Sequence, residues 1–212
     1  MVSNPSRPAG LVRIAALVTA AAIPAASWSI HTVIWRRRLA AAQRDALTRT
    51  LRRDGWSARA QHLIDRHGDQ MLVLVCDVDH LKSLNDTHGH TVGDAVLAAT
   101  AARLAAWTGG HGTVGRLGGD EFAAAVRVGA GQRDARLHQL THALRTPVTA
   151  DGVRVAVSVS VGAAAPGALG TRDLSSLLRA ADAAMYSGKH TGTAVQAWPR
   201  HAARSTPVSA SS

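Results

Sequence analysis

The chain contains one cysteine, Cys76, in 212 residues, and that scarcity bounds how the protein can be stabilised. A lone thiol excludes an intrachain disulfide, so nothing in the sequence indicates an oxidising compartment. No segment repeats at a fixed period, which excludes a solenoid or propeller architecture. The length leaves room for one domain of about 150 residues with extensions at its ends.

Acidic side chains are few, and the basic excess is unevenly placed. The chain has 24 Lys and Arg against 14 Asp and Glu, a formal charge of +10. Residues 1–53 hold nine arginines and one aspartate, so the remaining residues carry only +2. A basic surface over the whole fold is poorly supported, which argues against a nucleic-acid-binding protein.

Charged side chains are absent from residues 14–35. A helix of this length can cross the bilayer core of about 30 Å, although the segment is rich in alanine and contains Pro24. Arginines at 36–38 follow directly, and such a cluster keeps that end in the cytoplasm. We therefore expect a single-pass membrane protein whose catalytic domain is cytoplasmic. A cleaved signal peptide with small residues at 25–27 is the alternative.

The domain boundaries follow from these segments. We expect an N-terminal flank over 1–13, a transmembrane helix over 14–35 and a linker helix over 36–44. The folded domain then covers 45–197. The final stretch, 198–212, is rich in small and polar residues and is expected to be a disordered tail.

Two carboxylates follow an apolar run in the first half of the domain. The run at 71–76 predicts a buried strand, and it ends in Asp77, Val78 and Asp79. Period-2 alternation places Asp77 and Asp79 on one face of that strand. Carboxylates there are costly unless they meet a cation. For Asp79, a helix cap or a turn is the competing interpretation.

A second acidic site lies at 118–121, between apolar segments at 113–117 and 122–128. This pattern predicts a β-hairpin whose tip carries Asp120 and Glu121. Gly118 and Gly119 permit a tight turn and the close approach of a bulky anion. Alone, the motif is more often a solvated turn. Together with Asp77, it predicts acids that meet across neighbouring strands and suit a hard divalent cation.

The remaining periodicities indicate an α+β domain. Residues 93–106 have helical spacing, and alternating valines from 153 to 161 predict a half-buried strand. Apolar residues from 174 to 185 again recur at helical spacing. This order of elements suits a central, mostly antiparallel sheet with helices on it.

Five ordered motifs carry a resemblance to a known family. They are Asp45-Ala-Leu-Thr, residues 76–82 with 85–90 and 93–94, residues 116–122, residues 160–162, and residues 181–186 with Lys189. Over roughly residues 45–195 the chain resembles the GGDEF family of diguanylate cyclases. The resemblance implies a palm-like domain with a five-stranded sheet flanked by helices.

The resemblance also implies the reaction. Two GTP molecules would be joined into cyclic di-GMP with release of pyrophosphate, in a homodimer that forms at least transiently, because each domain holds one GTP. Magnesium, or manganese in its place, would be held by Asp77, the Val78 carbonyl, Asp120 and Glu121. Asp120 and Glu121 would be catalytic, with Asp120 either completing the metal site or taking the hydroxyl proton.

Substrate contacts are implied in the same way. Asn85 and Asp94 match the family's guanine-reading pair, since an amide and a carboxylate can meet the donor and acceptor edges of guanine. Lys189 matches a phosphate-contacting lysine. The other expected substrate contacts are the amides of His80 and Leu81 and the backbone at Gly118 and Gly119.

Departures from the family pattern leave a second function open. Arg49 and Thr50 replace the usual Gly-Leu of the opening motif, and Thr193 stands where a phosphate-binding arginine is frequent. Gly109 and Gly112 occupy the positions of the Arg and Asp of the product-inhibition motif, so that feedback route should be absent. The alternative is a catalytically weak GGDEF module that binds nucleotide or a partner.

Two further interpretations are weaker. Histidines at 80, 88 and 90 suggest zinc, but no cysteine lies nearby and the family motif already accounts for 88–90. A nucleic-acid-processing palm domain would use similar paired acids, yet it needs a basic groove that the sequence lacks outside its N-terminal segment.

Overall fold

A mixed β-sheet lies between two layers of helices in the computed structural model, which describes residues 43–189 and the backbone of 195–196. The strands of the described chain are β1 (Leu51–Arg52), β2 (Met71–Val78), β3 (Gly112–Arg116), β4 (Glu121–Arg127), β5 (Val148–Ala150), β6 (Val153–Val155), β7 (Val159–Ala164) and β8 (Val195–Gln196). Its α-helices are α1 (Arg53–His67), α2 (Leu81–His88), α3 (His90–Thr108), α4 (Arg133–Leu144), α5 (Pro166–Leu169) and α6 (Leu174–Gly188).

The main sheet has the strand order β1-β3-β4-β2-β7-β8. Its three long pairings, β3–β4, β4–β2 and β2–β7, are antiparallel. The two-residue edge strands β1 and β8 pair in parallel and bring this sheet to six strands. Strands β5 and β6 form a separate hairpin. The expected α+β domain with a mostly antiparallel central sheet is confirmed.

Strand alternation divides the core between the two faces of the sheet. On one face, Leu72, Leu74 and Cys76 of β2 pack with α3 and α4. On the other, Met71, Val73 and Val75 pack with α1 and α6. Both faces of β2 are therefore covered, which explains its unbroken apolar run.

Gly162 of β7 marks the closest approach between the sheet and α6. A Cβ built on Gly162 would lie 2.0 Å from the Ala181 carbonyl oxygen and 2.4 Å from the Met185 amide nitrogen. Both atoms belong to helix backbone, which cannot move aside as a flexible side chain can. Only glycine therefore permits this helix to lie against this strand.

Gly162→Ala is expected to lower the free energy of unfolding by about 3 kcal/mol, because the methyl group overpacks the contact with α6. Chemical denaturation measures the change. Gly131→Ala is the matched control, since a Cβ there meets nothing within 4 Å. Equal stabilities for the two variants would contradict the close packing.

The alternating valine segment forms two strands instead of one. Val153–Val155 pairs with β5, whereas Val159–Ala164 pairs with β2. Residues 156–158 connect the small hairpin to the main sheet without belonging to either. The alternation was interpreted correctly as extended and half-buried, but periodicity cannot reveal a change of partner strand.

The prediction of a single-pass membrane protein is corrected here. Across residues 43–189 and 195–196, no helix is both long and apolar enough to span a bilayer. Even α3, with 19 residues, contains Asp94 and Arg103 and packs against the sheet. The expected span at 14–35 lies outside the described residues, as do the flank at 1–13 and the tail at 198–212. Membrane anchoring therefore has no structural support.

The domain opens with a tight turn beside β1. Arg44 forms an isolated antiparallel bridge with Leu51, and the Asp45 amide donates to the Thr50 carbonyl at 2.8 Å. Arg49 takes a left-handed conformation with φ 61°. An arginine thus occupies the conformation that glycine adopts without strain. Most of the expected linker helix, 36–42, lies outside the described residues.

Candidate active site

Two carboxylates face each other at the end of the sheet. Asp77 of β2 is paired directly with Glu121 of β4 in the antiparallel register. Their side chains continue the face that carries α1 and α6, because both follow residues of that face by steps of two. The Asp77 side chain is 17 % exposed and that of Glu121 is 47 % exposed. The predicted meeting of the two acidic motifs is confirmed.

Lys189, directly after α6, supplies a cation to this end of the sheet. Its Nζ lies 2.6 Å from Asp77 Oδ2 and 3.8 Å from Asp79 Oδ1. The hydrogen bond to Asp77 raises the pKa of Lys189, burial opposes the rise, and the charges of Asp77, Asp79 and Asp120 add to it. The ammonium group therefore stays charged among these acids.

Asp79 is fixed by two serines of the neighbouring segment. Ser158 Oγ and Ser160 Oγ each donate to one of its carboxylate oxygens at 2.7 Å. The Asp79 amide also donates to the Ser158 carbonyl at 3.0 Å. Asp79 is thus not the cap of α2, which is His80, although it does lie in the turn before that helix, as one part of the competing interpretation expected.

The acidic hairpin tip closes through its own backbone. The Leu117 and Gly118 amides both donate to the Glu121 carbonyl, at 2.8 and 3.4 Å. The Val78 amide donates to the Asp120 carbonyl at 3.1 Å, so the tip is also tied to the end of β2. Val78 and Asp120, both predicted metal ligands, are therefore direct neighbours.

Arg116 also holds the hairpin tip, through the carbonyls of its two glycines. Its guanidinium donates to the Gly119 carbonyl at 2.6 Å and to the Gly118 carbonyl at 3.2 Å. Its Nη1 also pairs with Asp45 Oδ1 at 3.0 Å, with the two side chains only 16 and 22 % exposed. One arginine therefore joins the glycine turn to the opening motif of the domain.

Asp45 completes that connection. Its Oδ1 accepts hydrogen bonds from the Thr48 amide and hydroxyl, each at 2.8 Å. Burial raises the pKa of Asp45, but these bonds and the Arg116 charge outweigh burial and hold the pKa below its usual value. Because the folded pKa is lowered, the network stabilises the fold at neutral pH and is lost on acidification.

Arg53, at the start of α1, makes a second clamp. Its Nε and Nη2 donate to the Leu117 carbonyl at 3.1 and 2.9 Å. Its Nη2 also lies 3.6 Å from Glu121 Oε2, where both side chains are well exposed. The pair contributes little stability, but it limits where the Glu121 carboxylate can lie.

Helix α2 begins beside these acids without a side-chain cap. His80, at its N-cap, is left-handed with φ 57° and makes no capping hydrogen bond. The amides of a first helical turn have no partner within the helix, and they attract anions. His80 and Leu81 therefore lie where a phosphate group can be bound by backbone amides.

Asn85 is half-buried beside the next helix, and its Oδ1 atom is buried. Its Oδ1 has no hydrogen-bond partner, and a Cβ on Gly93 would lie 1.8 Å from that oxygen. Glycine at 93 thus makes room for the Asn85 amide. Asp94 is exposed one residue further along α3. Neither Asn85 nor Asp94 bonds to the acidic pair in the described part of the chain.

The carboxylates at this site fit a divalent cation whose remaining ligands come from substrate phosphates. Within residues 43–189, no group of three or more His, Cys, Asp or Glu side chains is arranged to bind a metal ion. Magnesium, however, is bound through one or two carboxylates together with substrate phosphates. Asp77 and Glu121 supply such oxygens, and the ammonium of Lys189 beside Asp77 shows that the site attracts positive charge.

Sequence reasoning missed the supporting residues. Arg116 belongs to the recognised motif, but its partner Asp45 lies 71 positions away. Arg53 reaches Leu117 across 64 positions. Neither contact corresponds to a periodic pattern of residues in the sequence. Ser158 and Ser160 could have been found, because alternation places both on one face of an extended segment.

The fold and site together define a class: a palm-like α+β domain with opposed carboxylates, a nearby lysine and an uncapped helix N-terminus suited to nucleotide phosphates. A family model described as "Diguanylate cyclase, GGDEF domain" matches residues 42–194. The chain therefore belongs to the GGDEF family, a class of nucleotidyltransferases.

Individual proteins are similar in sequence to this chain, and one of the two described here is named as a probable diguanylate cyclase. An uncharacterized 19.3 kDa protein of Streptomyces ambofaciens is 49% identical over 168 residues, covering 79% of this chain and 89% of that protein. The probable diguanylate cyclase DgcC of Escherichia coli is 34% identical over 165 residues, covering 74% of this chain. The match spans only 43% of DgcC.

Solved structures show the same fold. The GGDEF domain of TpbB from Pseudomonas aeruginosa has a TM-score of 0.66 at 32% identity, covering 74% of this chain and 96% of that one. The coiled coil and GGDEF domain of DgcB from Caulobacter crescentus, solved with c-di-GMP, has a TM-score of 0.70 at 25% identity, covering 85% and 99%.

Proposed function

We propose that this protein is a diguanylate cyclase that condenses two GTP molecules into cyclic di-GMP and releases pyrophosphate. The observation that carries the proposal is the direct pairing of Asp77 with Glu121 beside the uncapped start of α2. Family membership supplies the reaction, and diguanylate cyclases are among the similar proteins.

The triphosphate would be bound where positive groups converge. The first turn of α2 has no side-chain cap, so its amides would be able to bind an anion, and Lys189 lies close to the end of β2 that precedes this helix. Binding would let Lys189 share its charge between Asp77 and a phosphate oxygen. Thr193, which replaces a frequent arginine, lies outside the described residues.

The base would be read by Asn85 and Asp94. Asn85 Oδ1 is a buried acceptor without a partner, and an unsatisfied buried acceptor is costly until a ligand donates to it. Guanine presents donors that can meet both this amide oxygen and the exposed Asp94 carboxylate. The two base-reading side chains would then come from neighbouring helices, α2 and α3.

Chemistry would occur at the hairpin tip. Asp77, the Val78 carbonyl, Asp120 and Glu121 would hold magnesium or manganese, which when bound neutralises charge at the α-phosphate and lowers the pKa of the attacking 3′-hydroxyl. Asp120 either joins this ligand set or accepts the hydroxyl proton. Arg116 and Arg53 keep the Gly118–Gly119 turn and Glu121 in place.

Two domains must meet, because the hydroxyl of one GTP attacks the α-phosphorus of the other. We propose a homodimer that forms at least transiently. A rate of pyrophosphate release that rises with the square of protein concentration, at low concentration, supports this arrangement. A linear dependence from a chain that stays monomeric at the assay concentrations would require both nucleotides on one chain.

The alternative is a GGDEF module that binds nucleotide without turnover. Arg49 favoured this view, but the opening turn keeps its Thr48–Asp45 hydrogen bonds with Arg49 left-handed. Pyrophosphate release from GTP with magnesium separates the two functions. Release above that of a Glu121→Gln control supports the enzyme, whereas tight GTP binding without release supports the module.

Asn85→Ala is expected to raise the KM for GTP about tenfold or more, because one hydrogen bond to the base is lost. The fold should persist, since Asn85 Oδ1 bonds to nothing in the unliganded domain. Initial rates over a range of GTP concentrations measure the effect. Ser83→Ala on the same helix is the control, and an unchanged KM in Asn85→Ala would remove Asn85 from the base site.

Product is not expected to inhibit through the 109–112 loop. Gly109 and Gly112 cannot supply an arginine fork or a carboxylate. A side chain at 112 would also collide with β4, because a Cβ there lies 2.4 Å from the Ala125 carbonyl oxygen. Titration with cyclic di-GMP tests this. Tight, saturable binding that disappears when His111 of this loop is replaced by alanine would refute it.

A further inference from the structure

A cavity of about 710 Å³ lies apart from the acidic site. It is open to solvent and is lined by the opening turn at 43–51, the first part of α1, the second half of α3 and the start of β3. None of the predicted catalytic, metal-binding or substrate-binding residues lines it. Its volume falls in the range of small-molecule pockets.

Among the described residues that line this cavity, three are charged, and all three are arginines: Arg44, Arg49 and Arg59. The ion pairs of residues 43–189 involve none of them. Arg44 Nη1 donates to the Arg49 carbonyl at 2.7 Å, which ties two of the three to one turn. The cavity therefore concentrates positive charge without an internal counterion.

The chain cannot supply the missing anion from an acidic side chain outside the described residues. Every aspartate and glutamate lies between Asp45 and Asp182, and residues 1–42 contain five arginines and no acid. An acidic counterion bound here would therefore come from another molecule.

The rest of the lining favours a small phosphate-bearing ligand. The described lining residues include Gly55, Ala58, Ala101, Ala102 and Ala105, and none of them is aromatic. Apolar packing therefore offers little to a ligand, and small side chains leave room for bulky oxyanions. Arginine forks match phosphate oxygens and can bind them through two parallel hydrogen bonds.

Arg49 provides a separate indication. It keeps a left-handed backbone, φ 61°, although an L-residue with a side chain is strained there. Such strain persists where a side chain has a role that outweighs it. We propose that this cavity is a binding site for a small molecule bearing linked phosphates, held by Arg44, Arg49 and Arg59.

The test uses the full chain and inorganic pyrophosphate as the probe, titrated by calorimetry with EDTA present. One variant combines Arg44→Gln, Arg49→Gly and Arg59→Gln. The matched control removes three exposed arginines elsewhere, Arg66→Gln, Arg127→Gln and Arg145→Gln. Both variants lose the same charge, so a difference between them reports the cavity.

We expect saturable pyrophosphate binding in the wild type and in the control, and a loss of about 30-fold or more in the cavity variant. The magnesium-dependent part of GTP binding, taken as the difference between titrations with magnesium and with EDTA, should be unchanged in the cavity variant, which shows that the acidic site is intact. Equal affinities in the two variants, or no pyrophosphate binding by the wild type, would overturn the proposal.

Two further arms complete the design. Titration with GTP in EDTA distinguishes the ligand's source: tighter binding than pyrophosphate identifies a nucleotide, and weaker binding identifies a free oligophosphate.

The single variant Arg59→Gln guards against misfolding of the combined variant, because the Arg59 side chain makes no hydrogen bond within residues 43–189. A tenfold weaker pyrophosphate affinity in this variant supports the site, and an unchanged affinity contradicts it.

Discussion

Glu121→Gln is expected to reduce product formation about 100-fold or more while the domain stays folded. Glu121 is the only glutamate in the chain, and it lies directly opposite Asp77. Glutamine keeps the shape of the side chain but removes the charge that a divalent cation requires. The rate of cyclic di-GMP formation from GTP measures the change.

The control for this variant is Asp182→Asn, which removes an exposed carboxylate from the middle of α6. Thermal unfolding of both variants should match the wild type, because Glu121 pairs only loosely with Arg53. Undiminished synthesis by folded Glu121→Gln would remove Glu121 from the metal site and would leave Asp77 and Asp120 to be tested in turn.

Arg116→Ala is expected to lower kcat about tenfold or more and the free energy of unfolding by about 2 kcal/mol. The variant loses the hydrogen bonds to the Gly118 and Gly119 carbonyls and leaves Asp45 without its cation. The tip that carries Asp120 and Glu121 is then held by fewer contacts. Initial rates and chemical denaturation give the two quantities.

Arg116→Lys separates the two parts of this effect. Lysine can keep a charge near Asp45, but it lacks the planar fork that reaches the turn carbonyls at the same time. Compared with Arg116→Ala, the free energy of unfolding of Arg116→Lys should therefore return closer to the wild-type value than its kcat does. Arg127→Ala, at the far end of β4, is the control. A wild-type kcat in Arg116→Ala would mean that the tip keeps its geometry without this arginine.

The acidic pair was predictable from sequence because its signals are local. An apolar run ending in Asp77 and a glycine turn before Glu121 each determine a strand end, and alternation determines the shared face. The register that pairs the two residues then follows from an antiparallel sheet. Helices α3 and α6 were predictable for the same reason, since each buries one continuous stripe.

The long-range contacts were not predictable from sequence. Arg116 meets Asp45, and Arg53 meets Leu117, only because β1 and α1 fold back beside β3. The break in the valine segment is a tertiary effect, as β6 finds a partner outside the main sheet. The membrane expectation rested on composition alone, and it has no support among the described helices.

The most direct test of the proposed function incubates the purified full chain with labelled GTP and magnesium and identifies the products by chromatography and mass spectrometry. The account predicts cyclic di-GMP with two pyrophosphates released for each molecule, and none from the Glu121→Gln variant. GTP that is bound but recovered unchanged, or a product that forms equally in the Glu121→Gln variant, would contradict it.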